Sequence, residues 1–255
     1  MWNPSQYERF RDERKRPFFE LLARVEAEAP AQVVDLGCGT GDLTLALAER
    51  WPLAQVTGVD SSEEMIAEAR RRQVPDRVRF ELADLAEWTP ATPVDAIISN
   101  AALHWLPDHA TLLRRLVTLL APGGVIAFQI PANFDAPSHR RIDQLRAHPR
   151  FATALTNVRR GQAGRLDFYE AHLAGLGFTV DAWETTYLHV LHGEDPVLQW
   201  LLGTTLRPAL AALSAEEGKA FLDMLRPMLR ADYPAGVRGT PFRFTRRFVV
   251  AKRQK

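Results

Sequence analysis

Four polar residues, Asp35, Asp60, Asp84 and Asn100, each close a short run rich in apolar residues. The first leads at once into Gly37-Cys38-Gly39-Thr40-Gly41. Glycines at alternate positions permit positive φ and let the backbone approach a ligand closely. A helix expected over 42–50 would offer its unsatisfied N–H groups at the same point. Such a turn cradles a small ligand. Asp35 at the strand end suits a ligand with a positive charge or an amino group. Asp60 could accept both hydroxyls of a ribose, and Asp84 falls where a base would lie. Any one strand-end Asp is more often a helix cap. The repetition over four strands is what points to a site, because ligands of open parallel sheets bind at the carboxyl ends of the strands.

Two nucleotide-bearing ligands compete for this turn. A dinucleotide fold asks for G-x-G-x-x-G, and here Asp42 occupies the third-glycine position, where it would repel a pyrophosphate. S-adenosylmethionine has a sulfonium, an α-amino group and a carboxylate but no phosphate, and it fits the acid-rich turn better. A nicotinamide dinucleotide remains the alternative.

The elements that must position these groups follow from patterning. A charged amphipathic helix is expected from Asn3 to Arg24, with a break or a fresh helix start at Pro17. Strands are expected over 32–36, 54–60, 77–82, 94–99 and 125–130, the last after a turn at 121–124. Between them, Ser61-Ser62-Glu63-Glu64 reads as a capping box for a helix through Arg72. A further helix covers 108–120, with Leu112, Leu113, Leu116 and Val117 on one face. Beyond Pro131 come helices over 137–146 and 166–176, an ambiguous 150–165, a strand over 178–190, helices over 195–213 and 214–232, and a closing strand over 242–251. Strands alternating with helices imply a doubly wound, mostly parallel α/β sheet. The strand over 178–190, the two helices after it and the closing strand read as the sheet's antiparallel edge interrupted by a helical insert, so the sheet carries a helical cap. The expected organisation is an arm and lid helix over 1–30, a ligand-binding core over 31–131 and the remaining strands with cap insertions over 132–255, all one structural domain.

The segments VVDLGCGTGDLT, GVDSSEEMIAEAR, FELADLAEW and IISNAALHWLPD resemble the class I S-adenosylmethionine-dependent methyltransferases. The resemblance implies their Rossmann-like seven-stranded sheet. It also implies a donor site in which Asp35, Gly37, Cys38, Gly39 and Gly41 hold the methionine part. Asp60, with Ser61 and Met65 nearby, takes the ribose; Asp84 and Leu85 flank adenine, and Asn100 lies beside the methionine moiety. The product would be S-adenosylhomocysteine. The arm WNPSQYERFRDERKRPFFELL and the segments NAALHWLPDH, ETTYLHVL and GTTLRPAL resemble a branch of that family that esterifies trans-aconitate or a related small polycarboxylate. Other acceptors of the same fold, an acyl-carrier thioester or a quinone precursor, stay open, as does a donor-binding protein without turnover.

Methyl transfer to a carboxylate needs no general base, since an acid with a pKa of about 4 is already ionised at neutral pH; it needs positioning and desolvation. No catalytic side chain is therefore required, and His104 and Trp105 are the candidates nearest the active end of the sheet. Arginine binds carboxylate bidentately. Arg207, read as buried near a helix break, joins Trp2, Tyr7, Trp105 and Tyr187 as candidate acceptor contacts. Tyr187 shares its strand face with His189.

Composition bounds the rest. The net charge is +1, with 28 arginines and four lysines balanced by acids, which speaks against a protein held to nucleic acid by bulk charge. Arg70-Arg71-Arg72 reads as the cationic end of a helix, and Arg246-Arg247 as part of the closing strand. One cysteine cannot form an internal disulfide. The seven histidines lack chelating spacing, so no metal is expected. No apolar run reaches the ~18 residues of a membrane span, and the polar start is no signal peptide. A soluble, cytoplasmic protein with a small-molecule partner is expected, and the oligomeric state is not set by the sequence.

Overall fold

The computed structural model describes residues 11–254, with side chains from Lys15 onward. Helix α1 (Arg11–Leu22) leads into β1 (Gln32–Leu36), α2 (Asp42–Arg50), β2 (Gln55–Asp60), α3 (Glu63–Arg70), β3 (Val78–Leu82), β4 (Val94–Asn100), α4 (His109–Thr118) and β5 (Leu120–Pro131). Then come α5 (Pro137–Arg146), α6 (Pro149–Leu155), α7 (Leu166–Ala174), β6 (Phe178–Leu191), α8 (Pro196–Leu202), α9 (Arg207–Ala212), α10 (Ala215–Asp232) and β7 (Thr240–Arg253). The seven strands form one sheet in the order β3-β2-β1-β4-β5-β7-β6. Strands β1 to β5 are parallel, and β7 runs antiparallel to β5. The order reverses between β1 and β4, the crevice where such sheets bind ligands.

The chain divides into two compact units. The sheet unit takes Lys15–Pro131, Ala163–Thr185 and the chain from Arg246 on. Its core joins Ile97, Leu116, Ile126, Phe128, Tyr169 and Val249. Ala96, Ile97 and Ile98 are fully buried, as the apolar run of a strand covered on both faces requires. The helical unit takes Ala132–Gln162 and Thr186–Thr245. Phe151, Trp200, Leu201, Phe221, Leu225 and Phe242 fill its core. There the buried Asp195 binds Arg226 and Arg230 of α10, and the Arg230 guanidinium leads in holding its carboxyl below the usual range.

Four elements depart from the patterning. Helix α1 continues through Pro17, because Phe18, Leu21 and Leu22 bury the turn that follows and packing outweighs one lost hydrogen bond. The single helix expected over 195–213 is two. Gly203 caps α8, Thr204 Oγ1 bonds back to the Trp200 carbonyl, and β-branched Thr204-Thr205 carry poor helix propensity. Strand β5 begins at Leu120 rather than after the 121–124 turn; Leu120 pairs with Val94, and the register shifts between Val94 and Ala96. Part of the ambiguous 150–165 segment is helical, as α6.

The cap of α3 is Ser62, one residue later than the sequence suggests. Its side chain accepts from Met65 N, while Asp60 claims Ser62 N. The full reciprocal box forms instead at α10, between Ser214 and Glu217. Ser214→Ala is expected to lower the unfolding free energy by about 1 kcal/mol, read as a lower urea midpoint at unchanged slope.

Candidate active site

Asp35 is buried near the end of β1, where Thr44 Oγ1 of α2 donates to its Oδ2 at 2.7 Å. Burial pushes this carboxyl up to about 7; the Thr44 hydrogen bond opposes the rise and the negative charge of Asp60 adds to it. Gly37, Gly39 and Gly41 all have positive φ, at 82°, 55° and 80°. Their surroundings differ. A Cβ on Gly37 would stand 2.1 Å from the Ala102 Cβ, and one on Gly41 would meet the Phe80 ring at 2.6 Å. A Cβ on Gly39 would meet nothing within 4 Å. Gly37 and Gly41 are therefore glycines because protein presses on them, whereas Gly39 turns toward open space.

Asp60, at the end of β2, ties the turn to the next strand. Its Oδ2 accepts from Gly39 N and its Oδ1 from Ser62 N, both at 2.9 Å. Gly37 N and Cys38 N both donate to the Val59 carbonyl. The Cys38 thiol is pushed well up, first by burial and then by Asp35 and Asp60. Two carboxylates thus flank one turn, and a cation seated there would relieve their repulsion. Asp42, read as a repellent for phosphate, is largely engaged: Thr40 Oγ1 donates to it, and Arg72 binds it through two nitrogens at 3.2 and 3.1 Å. The three arginines at the end of α3 serve three ends, since Arg70 holds the Phe80 carbonyl and Arg71 pairs with Glu68.

Around this turn the sheet unit gathers most of the other candidates. Leu85 is buried, with its Cδ1 3.6 Å from the Gly37 Cβ position. Asp84 is exposed and its Oδ1 accepts from Ala86 N, closing a local turn. Ser61 is exposed and Met65 half-buried at the start of α3. Asn100 ends β4, and its Oδ1 accepts from Gln129 Nε2 of β5 at 2.7 Å. Ala101, next in the chain, sits at φ 54°, an uncommon conformation for a residue with a side chain. This turn brings Ala102 against Gly37.

His104 and Trp105 occupy a short 3-10 turn, Leu103–Trp105, with ring centroids 4.7 Å apart. The turn is held from behind. The Leu103 carbonyl can only accept, so His109 Nε2 carries the proton and donates to it at 3.0 Å. His109 Nδ1 then accepts from the Tyr169 hydroxyl at 2.6 Å, and that hydroxyl accepts from Gly164 N at 2.8 Å. Burial keeps the His109 pKa below its usual value, consistent with this neutral ring.

The acceptor-side candidates fall in different parts of the chain. Trp2 and Tyr7 lie outside the described residues. In the helical unit, Tyr187 is buried and stacks on His189, with ring centroids 6.1 Å apart and planes 10° from parallel. Arg207 opens α9 but is exposed, not buried as its place near the helix break suggested; the leading turn buries Leu206 instead. Sequence reasoning missed Gly58 and Phe80: a Cβ on Gly58 would reach the Phe80 ring at 2.8 Å and the Cys38 Cβ at 3.0 Å. It also missed Gln129 and gave Arg246 no role at the site, although both are polar residues interrupting apolar strand patterns.

The comparisons with known proteins bear on this site. Residues 33–124 match the family model described as Methyltransferase domain, which spans the glycine turn through the β4 end. The chain is 48% identical to the trans-aconitate 2-methyltransferase of Streptomyces avermitilis, over 99% of this chain and 97% of that protein. It is also 48% identical to that of Rhodococcus jostii, over 100% of both. Among solved structures, the YcgJ protein from Bacillus subtilis aligns with a TM-score of 0.59 at 17% identity, over 94% of this chain and 99% of that one. The 4+2 cyclase SpnF aligns with a TM-score of 0.56 at 17% identity, over 94% of this chain and 81% of that one. These structural likenesses carry the fold alone, and a cyclase among them shows that this fold does not by itself name a reaction. An identity of 48% over 99–100% of this chain goes further: the chain belongs to the trans-aconitate 2-methyltransferase family.

Proposed function

We propose that this protein transfers a methyl group from S-adenosylmethionine to a carboxylate of trans-aconitate or a close polycarboxylate, giving the monomethyl ester and S-adenosylhomocysteine. The observation that carries the donor is the turn around Gly39: an open backbone concavity between two carboxylates at adjacent strand ends. That environment suits a sulfonium and an ammonium group. Family membership carries the acceptor.

In this reading the turn from Asp35 through Gly37, Cys38, Gly39 and Gly41 takes the methionine part. Asp60 is held by two backbone N–H groups, so its remaining lone pairs have a fixed direction for the ribose hydroxyls, with Ser61 and Met65 alongside. Asp84 and Leu85 border the base, and Asn100 the methionine moiety. When bound, the donor supplies an electrophilic methyl whose departure leaves a neutral thioether, so no acid is needed to assist the leaving group. The acceptor carboxylate is an anion at neutral pH and needs no base to activate it. What the chain contributes is alignment of two reactants and exclusion of water. The 3-10 turn braced by His109 presents Trp105 as a wall of the acceptor side, with His104 beside it.

In solution, S-adenosylhomocysteine is expected to form when trans-aconitate is added to protein and donor, and not when it is withheld. Faster release with an acyl-carrier thioester or a phenolic quinone precursor would overturn the acceptor. Tight donor binding without release on any acceptor would leave a binding protein.

A further inference from the structure

Alternation along β7 places Phe242, Phe244, Arg246 and Phe248 in one buried row. Three are phenylalanines; the remaining place, 4% exposed, holds a guanidinium. Strand β5 shows the same break, since Gln129 is fully buried within the apolar run 126–130. The register sets Asn100 beside Gln129, Gln129 beside Phe248 and Pro131 beside Arg246. Three polar side chains therefore cross β4, β5 and β7 in one line at the carboxyl ends of β4 and β5, the end at which the donor turn lies.

The line is bonded throughout. Arg246 Nη1 donates to Gln129 Oε1 at 3.1 Å, and Gln129 Nε2 donates to Asn100 Oδ1 at 2.7 Å. A guanidinium has no acceptor, so the Gln129 oxygen must face Arg246 and its NH2 must face Asn100. Asn100 in turn has its oxygen fixed toward Gln129, and its own NH2 is directed away from β5. The amide orientations at the sheet end are thus set from Arg246 outward.

We propose that Arg246 is the cation that binds a carboxylate of the acceptor, and that Gln129 couples this guanidinium to Asn100 beside the donor. The inference rests on the polycarboxylate acceptor proposed above. A planar guanidinium matches a carboxylate bidentately, and a charge held at low dielectric attracts an anion more strongly than one at the surface. A cation on a strand is also held more firmly than one on a loop. Arg207, the arginine favoured by sequence, is exposed on a six-residue helix.

The test is steady-state kinetics with S-adenosylmethionine and trans-aconitate, paired with calorimetric donor binding. Arg246→Lys keeps the charge and stem but loses the fork, and is expected to raise the trans-aconitate KM by about 10- to 100-fold with the donor Kd unchanged. Gln129→Glu places a carboxylate against the guanidinium in competition with the acceptor. It is expected to raise the same KM while the melting temperature holds or rises, a combination that a merely structural arginine would not give. Arg243→Lys, exposed on the same strand, is expected to change neither constant. An unchanged acceptor KM in both Arg246→Lys and Gln129→Glu would overturn the inference, as would equal losses of donor and acceptor binding. If the acceptor reading itself fails, the wild-type protein will not methylate trans-aconitate at all, a result distinct from either.

Discussion

Gly39→Ala is expected to weaken S-adenosylmethionine binding by about a hundredfold while costing the fold only ~1 kcal/mol, the strain of an alanine at positive φ. The added methyl meets no protein atom within 4 Å, so the fold has nothing to push aside. It projects instead into the space that the donor is proposed to fill. Gly37→Ala is the contrasting case. There φ is 82° and the new Cβ would stand 2.1 Å from the Ala102 Cβ, so either the turn or the β4–α4 connection must move. Overpacking and backbone strain together amount to about 2–5 kcal/mol. In a protein of this size that lowers the melting temperature by roughly 5–15 °C. Thermal melts and donor titrations on the two variants should therefore separate: Gly39→Ala folds and fails to bind, and Gly37→Ala loses both. Normal donor binding by Gly39→Ala would remove the turn from the donor site.

The second large effect concerns pH. Burial, the leading cause, raises the Asp35 carboxyl from its usual carboxylate range to about 7. Its folded pKa exceeds its unfolded one, so between these values the native state holds more protons than the unfolded chain. Stability from this group is present in full at low pH and is lost as pH rises through 7. The ligand-free protein is thus expected to melt at a higher temperature at pH 5.5 than at pH 8. Donor binding runs the other way, because a sulfonium and an ammonium group favour the ionised Asp35. Affinity for S-adenosylmethionine is expected to rise by about tenfold from pH 5.5 to 8 as the proton leaves. Asp35→Asn keeps the shape and the acceptor for Thr44, and should flatten both profiles while weakening donor binding by about 10- to 100-fold. Calorimetric titrations across this pH range read the effect directly, and an unchanged pH profile in Asp35→Asn would assign it to another group.

The sheet was legible because its signals are local. Strand β1 lies where the β-branched run Val33-Val34 meets the glycine turn, Asp60 ends β2, and Asp84 follows two residues after the end of β3. The geometry of the glycine turn shared this advantage, since Gly37, Gly39, Gly41 and Asp60 meet neighbours in sequence or the next strand. What escaped depends on residues that meet only in three dimensions. No pattern within 77–82 shows that Phe80 must press on both Gly41 and Gly58. Nor does any spacing announce that His109, Tyr169 and the Leu103 carbonyl form one chain of hydrogen bonds. Arg246 and Gln129 did leave a trace, a polar residue in an apolar alternation, but only the register of β5 and β7 joins them. Helix α1 errs in the opposite sense: Pro17 is a strong local signal, overruled by the burial of Phe18 and Leu21.

The ester assignment is tested by where the methyl group goes. With methyl-labelled S-adenosylmethionine and trans-aconitate, the purified protein is expected to yield one labelled trans-aconitate monomethyl ester per S-adenosylhomocysteine. Mild alkali should release that label as methanol, as an ester requires. Label that resists alkali, or S-adenosylhomocysteine formed while trans-aconitate stays unlabelled, would contradict it.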